Sequence, residues 1–198
     1  MSFQKHSERE RNLEKALKKI FPEEDIKSLL TIIWLAAEKA RIYYEEIEMQ
    51  ENLKEDLLLL LEAERILIPF QTSKTIAWED RVTTFKPGDA YEMPHVIRYL
   101  IRNAEETGEW SPSYAVNRYL EEIGEPESVK ITVLFDKIKE RVKQRKISPE
   151  IILKVSEELN LKSKIGTIIA ELKGGGIISP CLRDPSRLRY EINPALMK

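Results

Sequence analysis

The stretch SPEIILKVSEELNLKSKIGTIIAELKGGG, residues 148–176, decides the fold. Ser148 followed by Pro149 reads as a helix cap and first turn, because proline lacks only an N–H that a helix start leaves unused. Ile151, Ile152, Val155 and Leu159 then recur at helical spacing and mark a buried stripe. Asn160-Leu161-Lys162-Ser163 interrupts the pattern as a tight turn. A second helix resumes with Ile165, Ile168, Ile169 and Leu172 at i, i+3, i+4 and i+7, and Gly174-Gly175-Gly176 ends it.

Working outward, a helix is predicted over about 127–145, with Ile131, Leu134, Phe135, Ile138 and Val142 inward. On the other side, Ile177-Ile178-Ser179 reads as a strand. Cys181-Leu182, a turn at Arg183-Asp184-Pro185-Ser186-Arg187 and the run Leu188–Ile192 complete a hairpin. Toward the N-terminus the pattern is similar but weaker. Helices are predicted over 8–20, from Pro22 through Ile33, around 40–48, and from Asn52 to Arg65, where Asn52 and Glu55 have capping-box spacing. Short strands are expected at 66–70, 75–78 and 82–85. Residues 94–123 read as two helices, the second opened by Ser111-Pro112.

The order helix, helix, tight turn, helix, glycine stop, hairpin over residues 127–192 resembles the winged helix-turn-helix superfamily, and residues 25–86 resemble it more weakly. The expected fold is therefore mainly α (α+β): two winged-helix-like units, each of three helices and a small β-ribbon, joined by a helical segment. The corresponding boundaries are 1–91, 92–125 and 126–198. The resemblance implies that the third helix of the last unit enters a DNA major groove while the wing touches backbone or minor groove. On this sequence the candidate contacts are Lys162, Ser163, Lys164 and Thr167 on that helix, and Arg183, Arg187 and Arg189 on the wing. Arg187 and Arg189 are two residues apart and share one strand face. No Arg, Asn or Gln stands on the helix face for a bidentate base contact, so readout is expected to be modest or to lean on DNA shape.

Charge supports this assignment. The 198 residues carry a net −2. Residues 130–198, however, hold 15 Lys and Arg against 8 Asp and Glu, a net of +7, whereas residues 1–129 hold 17 against 26, a net of −9. A basic part points to a polyanionic partner. The acidic part, with Glu51, Glu55, Asp56, Glu62 and Glu64 along its own third helix, would repel phosphates and is expected to serve dimerisation, protein contact or sensing. A scaffold of protein-binding winged helices without DNA binding is the alternative reading.

Other classes find no support. There is no phosphate loop, H-x-x-x-H pair or nucleophile elbow, so no enzyme, cofactor or metal site is expected. The two histidines, His6 and His95, are far apart in sequence. The single Cys181 excludes an internal disulfide and fits a reducing cytoplasm. No apolar run is long enough for a membrane span. Many Glu and Lys, with four Gln and six Asn, give a composition of thermophilic type.

Overall fold

The computed structural model describes residues 2–39, 41–70, 77–142, 144–182 and 188–198, with side chains from residue 8 onward. The chain is mainly helical, with two small antiparallel sheets, and both sheets are built the same way.

In the first unit, helix α2 (Ile26–Lys39) leads into strand β1 (Arg41–Tyr43), a 3-10 turn at Tyr44–Glu46, helix α3 (Glu51–Ala63), and strands β2 (Ile68–Pro69) and β3 (Ala90–Glu92). The sheet order is β1-β3-β2. In the last unit, α6 (Ser128–Arg141) leads into β4 (Lys146–Ile147), α7 (Pro149–Glu158), a 3-10 turn at Lys162–Lys164, α8 (Ile165–Gly174), β5 (Ile178–Cys181) and β6 (Arg189–Ile192), with order β4-β6-β5. In each, the last strand of the chain inserts between the other two. In each unit the segment after the first helix supplies a strand, β1 or β4, that the sequence reading lacked, and in the first unit β3 also lies beyond the three strands expected at 66–70, 75–78 and 82–85. In the first unit the 3-10 turn stands where the last unit has α7.

Several local expectations are corrected. The helix expected around 40–48 is β1 plus the 3-10 turn, because Arg41–Tyr43 pair with Glu92–Ala90. Helix α3 opens at Glu51 with Gln50 as N-cap and no side-chain cap bond, so the Asn52 capping box is not formed. No strand forms at 82–85, and Trp78 opens a 3-10 turn (Trp78–Asp80). The expected strand residues Thr75 and Ile76 lie outside the described residues. The helix from 127 stops at Arg141, and Lys146–Ile147 pair with Glu191–Tyr190 instead. The Ser148-Pro149 and Ser111-Pro112 starts match the sequence reading. Asn160 takes the left-handed conformation (φ 57°) that closes the turn between α7 and α8.

Helix α1 (Ser2–Ile20) buries Leu13, Ala16 and Leu17, packing mainly on α4 (His95–Thr107), which pairs in turn with α5 (Pro112–Glu122). The Asn12 amide donates to the Glu105 carbonyl at 3.1 Å. Buried residues from α1 through the C-terminal turn form one continuous apolar cluster.

Hydrogen bonds weld the two units. The Trp78 backbone N–H donates to Ser179 Oγ at 3.0 Å, and the Leu182 N–H donates to the Glu79 carboxylate, so the Trp78–Asp80 turn lies on the outer face of the second sheet. Asn193 is fully buried, and its amide donates to the Arg65 carbonyl (3.1 Å) and the Gly176 carbonyl (3.0 Å). Glu64 receives Lys198 Nζ at 2.9 Å. Helix α8 rests on the middle helices through Gly175 and Gly176. A Cβ at Gly175 would come within 2.4 Å of the Tyr119 ring, and one at Gly176 within 2.5 Å of Pro94. Gly176 also has φ +73°, which side chains disfavour. Gly175 and Gly176 therefore form a close-packing surface as well as a helix stop.

Candidate nucleic-acid interface

Helix α8 buries Ile168 and Leu172 and half-buries Ile165 and Ile169. The opposite side is set by the same periodicity. Ser163, Gly166, Thr167, Ala170 and Gly174 are all exposed, as are Lys162 and Lys164 in the preceding turn. The helix thus offers solvent a shallow face of small side chains with two lysines at its leading end. Small residues allow close approach to base edges, and Thr167 supplies both a hydroxyl and a methyl. Lys173 lies half-buried at the far end of this helix and Lys154 is exposed on α7. Neither was singled out in the sequence, although Lys173 sits three residues after Ala170 and so follows the same helical spacing.

The lysines are not isolated. Lys162 Nζ lies 2.7 Å from Glu157 and Lys164 Nζ 2.8 Å from Glu127, which also holds Lys130 at 2.9 Å. Hydrogen bonds from Lys164 and then Lys130 hold the Glu127 carboxyl down to about 2, so it is anionic across the physiological range. Burial and the nearby charge of Glu125 push Glu171 upward. Lys137 and Arg141 both engage Glu158, in solvent-exposed ion pairs between α6 and α7.

Arg189 is separate from this face. On β6, Tyr190 and Ile192 face the core, while Arg189 and Glu191 point the other way. Arg189 pairs with Cys181, and Glu191 with Ser179. These residues share the sheet face that the Trp78–Asp80 turn covers, and Ser179 and Cys181 are buried beneath it. Arg189 therefore stands on the side of the sheet away from the helices and does not join Lys162, Ser163, Lys164 and Thr167. Arg183 and Arg187 lie outside the described residues. Burial raises the Cys181 thiol, which keeps it protonated and unreactive.

The first unit offers a different third helix. The exposed side of α3 carries Glu51, Asn52, Asp56, Leu59 and Ala63. Trp78 and Tyr91 are both buried, and the Tyr91 hydroxyl donates to the Thr84 carbonyl at 2.6 Å. Trp34 and Trp110 are half-buried and spend their indole N–H groups on Glu105 and on the Ala195 carbonyl. His95 is exposed in the first turn of α4. Among the described residues, no cluster of His, Cys, Asp or Glu is arranged to hold a metal ion, and no helix is long and apolar enough to cross a membrane.

A family model spans residues 11–198, and the chain belongs to that family. No curated protein and no solved structure matches the chain.

Proposed function

We propose that the chain is a DNA-binding protein of winged-helix type, acting as a prokaryotic transcriptional regulator in the cytoplasm, with α8 as the element that enters the major groove. The carrying observation is the exposed face Ser163, Gly166, Thr167, Ala170, led by Lys162 and Lys164, in the basic unit of the molecule. The sheet order of that unit, with the last strand between the other two, supports the winged-helix reading. Phosphates would take Lys162 and Lys164 from Glu157 and Glu127. That exchange costs little, because exposed ion pairs are screened by water and salt.

Fluorescence anisotropy of the full chain with duplex DNA, from 50 to 200 mM salt, tests this. Micromolar or tighter binding with a steep salt dependence supports it. Replacing Lys162 and Lys164 by Ala should flatten the slope of log affinity against log salt by roughly 1.8. Absence of binding at the lowest salt rejects it.

The second reading, a protein-interaction scaffold, is favoured by one observation. Lys162 and Lys164 already have carboxylate partners, and Glu125 and Glu127, which precede α6, lie beside Lys164. On that reading the acidic first unit and the small-residue face of α8 meet protein partners, or a second copy of the chain, instead of DNA.

A further inference from the structure

A cleft of about 800 Å³ opens between α1, α2, α4 and the Tyr44–Glu46 turn, on the first unit's side of the molecule. Its size is that of sites for small organic ligands. The apolar wall comes from Trp34, Leu35, Ile47 and Ile101. Trp34 and Leu35 are only half-buried, so part of this wall is open to an occupant.

One polar group stands out against that wall. Glu105 is half-buried, and its Oε1 accepts the Trp34 indole N–H at 3.0 Å. Burial pushes its carboxyl upward, against the pull of the Trp34 bond and of Arg9 and Arg102. The ionised form is thus incompletely compensated by the protein. Arg9 and Arg102 are exposed, where solvent weakens their effect on the interior. Arg102 also has its guanidinium near the Tyr99 ring, 5.8 Å from the centroid. Glu38, Glu46 and Glu48 join Glu105 in lining the cleft, so four carboxylates face two guanidiniums. Lys39 pairs with Glu46 at 2.6 Å and leaves the balance still negative.

We propose that this cleft binds a small organic cation with an apolar or aromatic body, its charge at Glu105 and its body against Trp34, Leu35 and Ile101. A cation supplies the compensation that Glu105 lacks, and an indole face adds attraction that an anion would not receive. The inference stands apart from DNA binding: it concerns α2 and α4, and a failed DNA assay leaves it intact.

The test uses two probes of the same shape and opposite charge. The full chain is titrated calorimetrically with tetraphenylphosphonium and with tetraphenylborate. The expected result is one saturable site for the cation, with the anion weaker by at least about tenfold. Glu105→Gln keeps an acceptor for the Trp34 N–H and should weaken the cation by roughly fivefold or more. The exposed pair Glu38→Gln and Glu48→Gln, which leaves the packing untouched, should weaken it by about twofold. Equal or tighter binding of the borate, absence of saturation by the phosphonium, or affinity unchanged in both the Glu105 and the double variant overturns the proposal. Should Glu105→Gln fail to fold, the double variant alone decides.

Discussion

The two units share a strand order and differ in what their third helix shows to solvent. Helix α3 presents Glu51, Asn52 and Asp56 with Leu59 among them, whereas α8 presents Ser163, Gly166, Thr167 and Ala170 behind two lysines. They differ equally in the connection between their last two strands. In the first unit it runs from residue 70 to 89 and reaches across to the other sheet, and in the last it spans only residues 182–188. One arrangement of strands therefore serves two ends. The first unit spends its long connection on holding its neighbour and keeps an acidic surface, while the last leaves its third helix bare. Topology alone did not assign these roles; exposure and charge did.

The comparison breaks most visibly at the weld. Trp78 is 4% exposed. Trp78→Ala should destabilise the chain by about 3–5 kcal/mol. Chemical denaturation followed by circular dichroism should show a single transition in the native chain and an earlier or split one in the variant. An unchanged midpoint would mean that the units are not coupled there.

A smaller loss is expected at Asn193, whose removal strands the Arg65 and Gly176 carbonyls in the interior. Asn193→Ala should cost about 1–3 kcal/mol in total, read from the same denaturation curves. A cost within experimental error would show that water replaces the amide.

The contrast between the third helices is sharpened by Ala170→Glu. This change gives α8 the charge character of α3 at an exposed site. Stability should move by no more than about 0.5 kcal/mol, while DNA affinity falls at least about tenfold, a loss of roughly 1.4 kcal/mol. Equal affinity in anisotropy would remove α8 from the interface.

The smallest effect concerns Glu127. Glu127→Gln frees Lys164 and Lys130 from a carboxylate and should tighten DNA binding a few-fold at low salt. The same variant has a consequence in acid. A carboxyl held down to about 2 in the folded chain, against an ordinary 4.5, lends stability that is present above 4.5 and is lost as pH falls toward 2. The variant's stability should therefore fall less steeply over that window in acid titrations.

What the sequence made legible was local. The Ser148-Pro149 start, the Asn160 turn and the periodic isoleucines of α8 are signals within one or two helical turns, and the exposed positions of α8 follow directly from them. Strands β1 and β4 were hidden because their evidence lies in pairing with residues nearly fifty positions away. Arg41–Tyr43 became extended through Ala90–Glu92, which no local pattern announces. In the opposite direction, alternation at 75–78 and 82–85 suggested strands. Ala77 and Trp78 instead serve burial against Ser179, and 82–85 carries no sheet pairing. The same limit governs the sites. Lys162 and Lys164 were readable from position, but Glu127, which holds Lys164, comes from the segment before another helix. Arg189 was correctly placed opposite Tyr190, yet nothing near it in the chain signalled that Trp78–Asp80 would cover that face. The cleft was invisible for the same reason, since Trp34 and Glu105 are 71 residues apart.

The Trp78–Asp80 cover also bears on inheritance. A gene segment encoding only the last unit would deliver a sheet with Ser179 and Cys181 bare and the Asn193 amide missing its Arg65 acceptor. Shuffling that cuts between the two halves would therefore yield pieces with exposed seams. Lineages that carry this chain should exchange it whole.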